Sequence, residues 1–409
     1  MSKEILKEAN KLKEQLIRWR RDIHKLAEVG LNMNNTSTYI QNELKKMNIS
    51  YKTIVNGNGV LATIGSGNPC ILLRSDMDAL PIKEIAEVDF KATNNHMHAC
   101  GHDLHATNLL GAAYLLKQNE NKIKGTVKLL FQPGEETLTG SHLCVKDGVL
   151  ENPKVNHAFA MHVNSMMPTN SFSYGKVPMS NVYFFKINIK GVGGHGSTPE
   201  MCKDPIYTLV QIYQLLSGLI SKECPAEENI TLTIGEFKGG NTGNVIPDNA
   251  YMSGSIRGFN SELVDNMMER IKEISNMISK SYSCECHVEI LTHCPAVTCN
   301  DEINKLVLKT MEEFDLSIIQ SDETLQNTIK TAFEDKNHFY ISDKFKAMAS
   351  DDFGFISEKV PSGYYLLGAA VDDYTKLYNQ HDPRVMFNED ALPLGCAIYA
   401  SVALNYFNR

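Results

Sequence analysis

The chain has 409 residues, 43% of them apolar and 22% charged, and its 40 basic and 48 acidic side chains leave a formal net charge of −8. That length exceeds what one hydrophobic core usually supports, so two domains, or one domain with a large insertion, are expected. The composition excludes a mainly disordered chain, and the acidic balance excludes the broad basic surface of a nucleic-acid binder.

The amino-terminal stretch MSKEILKEANKLKEQLIRWRRDIHKLAE carries Ile5, Leu6, Leu12, Leu16, Ile17, Ile23 and Leu26 at helical spacing among charges. It has no continuous apolar core, so neither a signal peptide nor a membrane span is expected. Ten cysteines without a secretory signal read as free thiols or metal ligands in a cytoplasmic protein. ISYKTIVNGNGVLATIG and CILLRSDMDALPI read as strands. A helix follows HACGHD with Leu109, Leu110, Ala113, Leu115 and Leu116 on a broad apolar face. TVKLLFQP is a buried strand, SHLCVKDGVL a short helix and HAFAMHV another strand. Strands apolar on both faces, alternating with helices, predict an α/β fold with a mainly parallel sheet.

Between about 180 and 292 the texture changes. VYFFKINIKG, NITLTIGEFKGG, NAYMSGSIRGF and CHVEIL alternate like antiparallel strands, with helical DPIYTLVQIYQLLSGLIS and SELVDNMMERIKEISNMISKSY between them. An inserted α+β domain over 181–292 is therefore expected, with the host domain built from 1–180 and 293–409 and closed by the helix ALPLGCAIYASVALNYF.

HMHACGHDLH, residues 96–105, concentrates four histidines and one cysteine. Cys100 and His102 flank Gly101, so both side chains can reach one face, and thiolate and imidazole suit zinc-like ions. The competing reading has His96 and His98 exposed and Cys100 as a small buried apolar residue. TVKLLFQPGEET ends an apolar strand at Pro133-Gly134 and delivers Glu135 and Glu136 at its carboxyl end, where sheets of this kind bind ligands. Adjacent acids point different ways, so one can bind metal while the other exchanges a proton. The alternative is a solvated acidic turn. His162 ends a strand and His381 lies in the loop LYNQHDPR. Cys100, His102, Glu136, His162 and His381 together make a candidate metal set, each at a strand end or in a loop.

RSDMDALPIKE, HACGHDLHATNLLGAA, FQPGEE, GGHGSTPE, GNVIPDNA and HDPRVMFNEDALPLG, in this order, resemble the peptidase M20 superfamily of aminoacylases and carboxypeptidases. The branch resembled is that of hippurate hydrolase and N-acyl-amino-acid amidohydrolases. The resemblance implies a hydrolase with two divalent metal ions per subunit, zinc or manganese with nickel or cobalt as alternatives, acting on a small-molecule N-acyl amino acid. It implies Cys100, His102, Glu136, His162 and His381 as metal ligands and Glu135 as general base. His195 in GGHGSTPE is implied as a catalytic donor reaching a neighbouring subunit's site, hence a homodimer with 181–292 as lid or dimerisation domain. Asn244 and Arg257 match substrate-holding positions, although a turn residue and a surface ion pair are the structural alternatives. Arg74-Ser75-Asp76 stands where the superfamily typically has His-x-Asp, which leaves Asp76 a supporting role and His105 at most the same. A dipeptidase or carboxypeptidase, and a non-catalytic metal-binding regulatory module, remain alternatives. Cys284, Cys286 and His287 in CECH read as a strand, with metal binding the lesser option.

Overall fold

The computed structural model describes residues 1–408. The chain divides into two compact units, one of Met1–Pro178, Val297–Lys346 and Asp352–Arg409, the other of Met179–Ala296 and Ala347–Asp351.

The larger unit is built on a nine-stranded sheet. Its spatial order is Ser50–Ile54, Gly59–Gly65, Thr126–Gln132, Cys70–Asp76, His157–Asn164, Ser362–Gly368, Ser171–Tyr174, Phe339–Ser342 and Ile318–Ser321. Five of the strand pairings are parallel and three antiparallel. The four strands from Thr126–Gln132 to Ser362–Gly368 in that order run mutually parallel and are buried along nearly their whole length. Burial on both faces is why TVKLLFQ and HAFAMHV read as continuous apolar runs. Their carboxyl ends lie along one edge of the sheet, so the loops that leave them are neighbours however far apart they are in sequence.

Lys128, inside one of these strands, is 2% exposed. Its Nζ donates to the carbonyls of Val149, Glu151 and Pro153 at 3.0, 2.6 and 2.8 Å, which lets a cation sit at a core position. The helices His102–Gln118 and Ala391–Tyr406 pack against each other and are buried almost all round. That is why LLGAAYLL and LGCAIYASVAL show no polar stripe.

The smaller unit has a four-stranded antiparallel sheet, ordered Glu285–Cys294, Asn181–Lys190, Asn249–Gly258 and Ile230–Gly239. The helices Pro205–Glu223 and Ser261–Ser281 cover one face through a core of Phe185, Ile187, Ile189, Leu209, Ile212, Met252, Ile256 and Ile271. Asp204 caps the first helix by accepting from Ile206 N and Tyr207 N, with Pro205 at its first position. Cys286 turns toward this core and His287 is exposed on the opposite side of the strand. No helix of the described residues is long and apolar enough to cross a membrane.

Candidate metal centre

The strand Cys70–Asp76 ends into Asp78, Thr126–Gln132 into Glu135 and Glu136, and His157–Asn164 carries His162 near its end. Cys100 precedes the helix whose first residue is His102. Between them Gly101 has φ +87°, and a Cβ there would meet Val163 Cγ2 at 2.6 Å, so the turn that presents both side chains requires glycine.

Five side chains predicted to bind metal gather in this unit. The ligand atoms of Cys100, His102 and His162 lie within 4.8 Å of one another, and so do those of Cys100, Glu136 and His381. Cys100 belongs to both groups. Its Sγ is 3.5 Å from His162 Nε2, and Glu136 Oε1 is 3.4 Å from His381 Nε2. His102 Nε2 faces Glu135 and Glu136, each at 3.9 Å. Both ring nitrogens of His102 and Glu136 Oε1 are buried without a hydrogen-bond partner. Buried polar atoms are normally paired, so His102 Nε2 and Glu136 Oε1 fit a cation site. One thiol, three imidazoles and a carboxylate make a donor set that fits zinc-like divalent ions.

The surrounding bonds fix which atoms face inward. His162 Nδ1 donates to Val163 O at 2.7 Å, leaving Nε2 as the free lone pair. Burial holds His162 well below the ordinary histidine range, so it is neutral and ready to coordinate. Burial also pushes the Cys100 thiol up to about 12. Against burial, Asp76, Cys100 and Asp78 raise His102 well above its usual value. Protons and cations therefore compete for the same atoms. Glu136 is lowered by His381 and His102 although burial opposes its charge.

Asp76 accepts from His105 Nδ1 at 2.6 Å and from the Arg74 guanidinium at 2.7 Å. Val163 N donates to His105 Nε2 at 2.8 Å. Both nitrogens of His105 are thus engaged, which makes it a bracket between Asp76 and the strand of His162. His98, 1% exposed, is held neutral by burial with its value lowered to about 3, and His96 Nδ1 bonds Ala27 O at 3.0 Å. Of the four clustered histidines, only His102 is in a group with Cys100.

Asp78 was not singled out from sequence. Its two oxygens accept from Glu135 N at 3.0 Å and Glu136 N at 3.1 Å, and Oδ1 lies 3.4 Å from His102 Nδ1. Burial raises its carboxyl above the ordinary range although His102 opposes this, and the neighbouring Glu136 and Asp76 add to the rise. Replacing Asp78 with Asn would aim an amide NH₂ at one of the two backbone donors. Metal affinity should fall about 10- to 100-fold, measured by competition with a chromophoric chelator.

In the smaller unit, His195 is exposed on a two-stranded ribbon, paired with Val245, and Gly196 N donates to Asn244 O at 2.9 Å. His195 and Asn244 are therefore neighbours. Ser197, a second residue that sequence reasoning passed over, donates to His195 Nδ1 from its amide at 3.1 Å. That bond leaves the proton on Nε2 of this exposed ring. Arg257 stacks over Phe184 at 5.2 Å and donates to Met348 O at 3.1 Å, with no carboxylate paired to it among the described residues.

The family model for peptidase family M20/M25/M40 matches residues 72–405. The chain is 33% identical over 393 residues to IAA-amino acid hydrolase ILR1-like 4 of Arabidopsis thaliana, covering 95% of this chain and 84% of that protein. It is 31% identical over 392 residues to hippurate hydrolase of Campylobacter jejuni, covering 95% of each. The crystal structure of the Bacillus subtilis YXEP protein, described as a dinuclear metal-binding peptidase, superposes with a TM-score of 0.78 at 25% identity, covering 98% of this chain and 99% of that one. Because the match spans residues 72–405 and takes in the clustered Cys100, His102, Glu136, His162 and His381, the chain belongs to peptidase family M20/M25/M40.

Proposed function

We propose that this protein hydrolyses the amide joining an acyl group, such as acetyl or benzoyl, to an amino acid. The observation that carries this reading is Cys100 shared between two triads of ligand atoms, with Glu135 beside them. Cys100, His102, Glu136, His162 and His381 would hold two divalent ions. Zinc is favoured by the thiolate and imidazoles, and manganese is accommodated by the carboxylate. Bound there, the ions supply Lewis acidity that polarises a carbonyl and makes water a nucleophile near neutral pH.

Glu135 takes the proton of the attacking water and returns it to the departing amine. Its backbone is pinned by Asp78, so the carboxylate is aimed without itself being needed as a ligand. His195 offers Nε2–H to the oxygen that gains charge, in the site of a second copy within a homodimer. Asn244 beside it helps to hold substrate, and the free edge of the Arg257 guanidinium suits the carboxylate of the amino-acid half. Among the described residues no cysteine forms a disulfide, in keeping with a reducing, cytoplasmic setting.

The test is an assay of metal-loaded protein on N-acetyl amino acids, hippurate and dipeptides. Turnover of the N-acyl amino acids is expected. Preference for dipeptides would move the assignment to a peptidase, and no turnover of any substrate would leave a metal-binding regulatory module.

A further inference from the structure

We infer that Gln380 is a positioning residue that clasps three ligand-bearing segments of the metal centre together, an inference that rests on the metal-binding reading above. Its Nε2 lies 3.2 Å from Cys100 O and 3.1 Å from Val163 O. Both partners are carbonyl oxygens and can only accept, so the surroundings dictate that the amide turns its NH₂ toward them. The two amide hydrogens are thereby spent on the backbone beside two ligands. Val163 O is also the acceptor that orients His162 through Nδ1. The same nitrogen stands 3.8 Å from Cys100 Sγ and 3.4 Å from His162 Nδ1. One primary amide thus joins the loop of Cys100, the strand end of His162 and, through the next residue, the loop of His381.

The backbone of His381 gives this clasp something to hold. Its φ is +68°, a left-handed conformation uncommon for any residue but glycine. Such a conformation persists where neighbouring bonds over-determine it. Here the restraints are the His381 N–H donated to Ala99 O at 3.0 Å and the two Gln380 bonds one residue earlier. Removing the amide releases the loop of His381 from the Cys100 turn on one side and from the His162 strand on the other. It also removes the amide nitrogen that stands 3.8 Å from the sulfur shared by both ligand triads, which changes how strongly that sulfur would donate to a cation on losing its proton.

Gln380→Met keeps the length of the side chain and deletes its donors. Gln380→Glu keeps the shape and turns an acceptor toward two carbonyls and a thiol. Both variants and the wild type would be titrated with Co²⁺ alone, with competition for affinity and the thiolate-to-cobalt charge-transfer absorption as the spectroscopic signature. Metal-free stability would be followed by the fluorescence of Trp19, the single tryptophan of the chain. Expected are a charge-transfer band displaced from wild type and about 10- to 100-fold weaker cobalt binding, with the larger loss in Gln380→Glu. Wild-type affinity and spectrum in the variants, whether or not their metal-free stability falls, would overturn the inference and leave Gln380 an ordinary packing residue. If one variant does not fold, the other carries the test. Failure of the wild type itself to take up two cobalt ions with a thiolate band would instead remove the metal-centre reading.

Discussion

Replacing Glu135 with Gln should cut turnover of an N-acyl amino acid by about 100- to 10,000-fold while leaving divalent metal content near wild type. The substitution is nearly isosteric, and the backbone N–H that Asp78 holds at 3.0 Å is untouched. What disappears is an oxygen able to take a proton from water and give it up to an amine. Glu135 lies beside His102 and Glu136 but outside the two triads that share Cys100, so both triads keep all their donor atoms in the variant. Metal analysis beside steady-state kinetics separates this outcome from that of Glu136→Gln, which removes a charged ligand and should lose metal first. His195→Ala should also be inactive as a homodimer, because the Nε2–H donor is gone. Co-refolding equal amounts of the two inactive variants then gives heterodimers in which one composite site is intact, and about a quarter of wild-type activity should return. No recovery in heterodimers verified by mass would end the shared-site proposal, and a fully active Glu135→Gln would end its role as base.

The fold was legible in sequence where one periodicity ran long enough. Buried parallel strands such as TVKLLFQ and the all-round apolar helix after HACGHD have no other comfortable environment. The segment 313–346 was not legible, because Ile318–Ser321 and Phe339–Ser342 are four-residue strands too short to show alternation. At the metal centre, Cys100, His102 and the Glu135-Glu136 pair stand out because their residue types are chemically marked. The residues that orient them do not. Asp76 and Asp78 alternate along RSDMDALP, and nothing local says that the strand ends at Asp76 so that Asp78 meets the Glu135-Glu136 turn. Gln380 and Ser197 are ordinary polar residues whose partners are backbone atoms or one ring nitrogen. The histidine count alone would overstate the ligand set, and the supporting role expected of His105 agrees with its bonds, since it spends both nitrogens on Asp76 and Val163 N. Types predict ligands, whereas the brackets that aim them emerge only from tertiary placement.

Arg74 carries the largest expected effect on stability. Its side chain is 2% exposed and donates to Asp76 Oδ2 at 2.7 Å, Asp352 Oδ1 at 2.9 Å and Gln132 Oε1 at 2.9 Å. Asp352 in turn accepts from Gln132 Nε2 at 2.7 Å and from Ser141 N at 2.7 Å, so the guanidinium is the hub of a buried network reaching the Glu135-Glu136 loop and the helix Gly140–Lys146. Arg74→Met fills most of the volume and leaves two carboxylates buried without their cation, which should destabilise this unit by about 3–5 kcal/mol. Against burial, His102, His105 and Arg74 hold the Asp76 carboxyl well below its ordinary range. A depressed folded value contributes stability that is present above the unfolded pKa and lost as pH falls through the folded one. The gap between wild type and variant should therefore be widest at neutral pH and narrow as falling pH protonates the variant's carboxyls, which removes the uncompensated charge. Urea unfolding of metal-free protein, followed through Trp19, reads this unit alone because the only tryptophan lies in it. An unchanged urea midpoint at pH 7 would mean that the two carboxylates do not depend on the guanidinium. A gap that stayed constant from pH 7 to pH 4 would place the cost in packing and not in the uncompensated charge of Asp76.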